Sequence, residues 1–99
     1  TTSDEVDILI THQNDTAIRL LQNYERNGNM EDLEKAVSIM EQVVDMTPQE
    51  SINLMVRLSN FGSMLSRRFE QTGSMDDLNR AVDVADKTVH ATPQDHPDR

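Results

Sequence analysis

The sequence predicts an all-α protein in which antiparallel helix pairs stack as an α-solenoid of about four helices. Three observations carry this. Glycine and proline occur three times each in 99 residues while Leu, Met, Glu, Gln and Arg are abundant, a balance that favours helix over loop. The chain also repeats itself at an offset of 45 residues, with 12 identities when residues 2–46 are set on 47–91, seven of them between Glu25 and Val37. Such a period marks a stacked array, in which no unit buries its apolar face alone. Finally, apolar residues inside each unit recur at spacings of three and four. The organisation expected is repeat one at 2–46, repeat two at 47–91, and the truncated start of a third repeat at 92–99, cut from a longer array.

The first helix of repeat one carries Leu9, Ile10, Ala17, Leu20, Leu21 and Tyr24 on its apolar side, and its counterpart carries Leu54, Leu58, Phe61, Leu65 and Phe69. Each is expected to run for about six turns. Thr2 and Glu5, and again Thr47-Pro48-Gln49-Glu50, have the spacing of a capping box, the latter with proline at the first helical position. Gly28 and Gly73 end these helices, because a left-handed closing residue is cheap only without a Cβ. The second helices start at the caps Asn29 and Ser74, followed by Glu31-Asp32 and Asp76-Asp77 beside the positive helix end. Their stripes are Leu33, Ala36, Val37, Met40, Val43 and Val44, and Leu78, Ala81, Val82, Ala85 and Val89. Met64 lies off the stripe of its helix and is expected to face a partner, whereas Met30, Met40 and Met75 are read as packing residues.

Composition narrows the function. With no cysteine there is neither a disulfide framework nor a thiolate zinc site, which favours a cytoplasmic setting. No apolar run, Ile8 to Ile10 included, exceeds three residues, far below the roughly 18 of a membrane span, so no membrane role is expected. Nor is nucleic acid, since 18 acidic against nine basic residues give a net charge of -9 that repels phosphates. Enzymatic chemistry needs converging acids, bases or ligands. His12 reads as a solvated face residue, and His90, Asp95, His96 and Asp98 cross a helix end and a proline turn at no ligand spacing. Asp32 and Asp77 read as caps. No catalytic residue, metal or cofactor is assigned.

Tyr24 or Phe69 four residues before Gly28 or Gly73, Ala36 or Ala81 eight residues after it, Asn60-Phe61-Gly62 in the first helix and Pro48 or Pro93 at the unit boundary resemble tetratricopeptide repeats. The likeness spans nearly the whole chain, with 45 residues per unit against about 34 in the usual repeat. Leu58 to Gly62, Arg68 to Leu78 and Ala91 to Arg99 are similar to the long-period variant of fungal multidomain proteins, where such arrays accompany nucleotide-binding NLR-type switches or caspase-like CHAT domains. The resemblance implies a scaffold or sensor module that binds a peptide or helix of a partner protein in a concave groove lined by first helices. Carried over with Phe61-Gly62 as anchor, it selects Ser59, Ser63, Ser66 and Arg67, and through the offset Asn14, Ile18, Leu21 and Gln22. Charge agrees with that face: residues 51–72 hold Arg57, Arg67 and Arg68 against Glu70, whereas residues 31–46 hold five acids against Lys35. The alternative is a self-assembling segment, a homo-oligomer whose uncovered stripe at Leu78, Val82, Ala85 and Val89 packs on the first helix of another copy.

Overall fold

A computed structural model describes residues 3–91 as four α-helices: α1 (Ser3–Asn27), α2 (Met30–Met46), α3 (Leu54–Thr72) and α4 (Met75–Ala91), with no strand among the described residues. The expected cap at Thr2, the third-repeat start and the group Asp95, His96 and Asp98 lie outside the described residues, as does the side chain of His90. The protein is all-α. Helices pack extensively with their neighbours in the chain, α1 on α2, α2 on α3 and α3 on α4. The shortest dimension is 21 Å, about two helix diameters.

Both hairpins turn in the same way, for reasons readable in the residues. Gly28 and Gly73 sit at φ +72 and +70, and their amides donate to the Tyr24 and Phe69 carbonyls at 2.7 Å. Only glycine adopts this backbone without strain. The Asn29 side chain then accepts from the Glu31 amide at 2.9 Å, and the Ser74 hydroxyl accepts from the Asp77 amide at 3.4 Å. Two residues therefore suffice to reverse the chain.

The passage from α2 to α3 departs from expectation. Thr47 does not cap α3 and Pro48 does not begin it; α3 starts at Leu54, six residues later than the offset from Ser3 requires, and has 19 residues against 25 in α1. Thr47 closes α2 instead. Its amide donates to Val43 and Val44, and its buried hydroxyl donates to the Val43 carbonyl at 2.7 Å while accepting from Arg57 Nη1 at 3.1 Å. A hydroxyl engaged in this way is not a cap for Glu50. Thr47 is also extended, at φ -81 and ψ 124, the region imposed on a residue before proline. Residues 48–53 follow as turns, with the Ser51 amide on Pro48 and the Leu54 amide on Ser51.

One core runs through the stack. It joins Ile10, Ala17 and Tyr24 of α1, Leu33, Met40 and Val43 of α2, Leu54, Phe61 and Leu65 of α3, and Val84 of α4. Met64 belongs to it, at 0% exposure. The expectation that Met64 faces a partner is corrected: the buried sector of α3 is wider than the stripe of large residues suggested.

Candidate functional site

An open groove of about 540 Å³ lies between α3 and α4. Its α3 wall is Ser59, Ser63, Ser66, Arg67 and Glu70, and its α4 wall is Ala81, Ala85 and Thr88, with Gly62 and Val84 between them. A Cβ at Gly62 would meet the Val84 side chain at 3.4 Å, so the helices touch here and small residues leave room above the contact. Thr88 spends its hydroxyl proton on the Val84 carbonyl at 2.8 Å. Arg67 Nη2 pairs with Glu25 of α1 at 2.7 Å, with both side chains more than one-third exposed. The lining thus offers hydroxyls, a short apolar floor and one charge of each sign. It contains no histidine and no acid–base relay to a serine.

The charged cluster on another side of α3 is structural. Arg68 Nε donates to both oxygens of Asp77 at 3.0 Å, Nη2 to Asp77 Oδ1 at 2.8 Å and Nη1 to Glu34 Oε1 at 2.8 Å. Asp77, with partial opposition from desolvation and further help from Glu34, holds the guanidinium above its ordinary pKa. One side chain therefore ties α2, α3 and α4 together. Arg80 does similar work, reaching Glu41 of α2 at 2.8 Å while lying 5.5 Å from the Phe61 ring centre.

Compared with protein families, curated proteins and solved structures, the chain has no match.

Of the residues selected from sequence, Ser59, Ser63, Ser66 and Arg67 share this groove, and Ala85 stands across it. Asn14, Ile18, Leu21 and Gln22 do not line it. They occupy the corresponding positions in unit one, where Ile18 and Leu21 pack against the core and Gln22 is exposed. Val82 and Val89 are 60% and 63% exposed on α4, and Leu78 is half-buried. The three arginines that made α3 look basic go separate ways: Arg57 is buried on Thr47, Arg68 is half-buried and paired with Asp77, and only Arg67 borders the groove. His12 is exposed beside Asp7, Ile8, Thr11 and Asp15. No group of three metal-ligating side chains occurs among the described residues, and no helix there is long and apolar enough to cross a membrane.

Sequence reasoning missed the Arg68–Asp77 pair and the floor at Gly62 and Val84. A signal for the first was present, since Arg68 and Asp77 flank Gly73 at distances that face each other across a tight hairpin.

Proposed function

We propose that this chain is a protein-protein interaction module, a helical repeat of tetratricopeptide type, whose groove between α3 and α4 receives a helix of a partner. The observation carrying the reading is a contrast between equivalent surfaces. In unit one, Val37, Met40 and Val43 are 2%, 0% and 0% exposed, with α3 packed on their helix. Their counterparts at the 45-residue offset, Val82, Ala85 and Thr88, are 60% exposed, exposed and half-buried. The face that accepts a helix once in this chain is thus presented a second time, open. Amphipathic helices seat in such grooves through anchors spaced at three and four residues, which suits a floor bounded by small side chains.

A display library of amphipathic helical peptides, titrated against the full chain by fluorescence anisotropy, tests this. Binders are expected to lose at least about tenfold in affinity with Ser63→Arg, which fills the groove. The exposed Ser38→Arg on α2 serves as control and should change nothing. If every binder ignores Ser63→Arg, the groove is not the acceptor.

A further inference from the structure

We propose that the helix received by this groove is α1 of a second copy of the chain, so that copies add head to tail; the proposal rests on the reading of the groove as a helix acceptor. The chain itself supplies the template. α3 covers unit one with Leu54, Leu58, Phe61 and Leu65, all between 0% and 7% exposed. α1 is the counterpart of α3, and at the same offset it has Leu9, Gln13, Thr16 and Leu20. This side is incompletely covered within one copy: Leu9 is 50% and the nearby Val6 39% exposed.

Both partners of the inferred contact are changed in the same sense. Where unit one offers Ile18, Leu21 and Val43, the groove offers Ser63, Ser66 and Thr88. Where α3 brings Leu58 and Phe61, α1 brings Gln13 and Thr16. Polar thus meets polar at the open end, just as apolar meets apolar inside. Of the three ion pairs across the units, two translate as a donor and a carboxylate, whereas Arg68–Glu34 becomes Asn23 and Asn79. Arg67–Glu25 becomes Gln22 of one copy on Glu70 of the other, and Arg80–Glu41 becomes Lys35 beside Asp86, which also has a partner within its own copy. A contact between two different faces leaves one of each free at the ends, so each copy added can take up another. Its polar character makes it reversible, not obligate.

Two substitutions at exposed positions separate the ends: Ala85→Arg in the groove and Leu9→Arg on α1. Sedimentation velocity over a concentration series should show the average mass of the wild-type chain rising with concentration. Each variant alone should associate at least about tenfold more weakly, with helical circular dichroism unchanged. Mixed in equal amounts they should form dimers that grow no further, because one supplies an intact α1 and the other an intact groove. A wild-type chain that stays monomeric at millimolar concentration overturns the proposal. So does a mixture that stays monomeric, or one that grows like wild type. If the chain is monomeric while a library peptide still binds and loses affinity with Ser63→Arg, the second copy is ruled out and the helix acceptor stands. If neither assembly nor peptide binding responds to groove substitutions, both readings fall.

Discussion

Replacing Asp77 by alanine removes the partner that holds Arg68 across the α3–α4 hairpin. The Asp77 side chain is 6% exposed and that of Arg68 18%, so the pair is largely withdrawn from water. Breaking a fully buried pair costs about 3–5 kcal/mol, because a charge is left without compensation. Here Glu34 remains 2.8 Å from Arg68 and is 52% exposed, which leaves the stranded guanidinium an alternative partner near solvent. The expected loss for Asp77→Ala is therefore about 2–3 kcal/mol, below the fully buried figure. In a domain of this size each kcal/mol lowers Tm by about 4–8 °C. Glu34→Ala removes the exposed partner only and should cost less than about 0.5 kcal/mol. Urea denaturation of Asp77→Ala, Arg68→Met and the double variant gives the coupling directly, expected at about 2 kcal/mol, with the double variant hardly worse than either single one. An Asp77→Ala variant no less stable than Glu34→Ala, or a coupling near zero, would refute the view that this side chain binds three helices together.

Other substitutions probe separate parts of the fold. Gly28→Ala and Gly73→Ala place a Cβ at φ near +70 with nothing within 4 Å, so the cost is conformational only, about 1–2 kcal/mol each by chemical denaturation. Gly62→Ala has the opposite sign: it sits in mid-helix, its methyl meets Val84 at 3.4 Å, and Tm should rise by the equivalent of about 0.5–1 kcal/mol. Met64→Ala empties a site at 0% exposure and should cost about 2–5 kcal/mol, where a partner-facing methionine would cost almost nothing. Thr47→Val keeps the shape and removes both hydroxyl bonds, which should cost about 1–3 kcal/mol in the same denaturation assay because Arg57 loses its acceptor.

Helix ends were the most readable feature, because the residues that end helices act locally. A glycine in the left-handed region, an Asn or Ser whose oxygen meets an amide two or three residues on, and carboxylates in the first turn need no knowledge of the rest of the chain. Thr47 misled because its hydroxyl has two uses. Threonine before proline has the composition of a helix start, yet here the preceding Val43 carbonyl and an arginine ten residues later claim the oxygen. Arg57 and Arg68 misled for a related reason. Long cationic side chains bend toward distant acceptors, so a tally of charge along a helix does not say which face the charge reaches. Half of the candidate groove, Ser59 to Arg67, was within reach of sequence because it lies on one face of one helix. The other wall depends on how α4 packs, and the offset transfers positions between units without transferring their surroundings.

The contrast between two-residue turns inside the hairpins and seven residues between them bears on how the chain folds. Extensive packing joins only consecutive helices, so contact order is low and loop closure demands little entropy. Either hairpin can serve as nucleus, with the second docking through the α2–α3 seam. The seam is fastened by Thr47–Arg57, Glu25–Arg67, Glu34–Arg68 and Glu41–Arg80, four arginine contacts that all cross one boundary. Amide exchange measured across rising denaturant should then find α1 with α2, and α3 with α4, opening as two cooperative blocks whose boundary is Pro48 to Asn53.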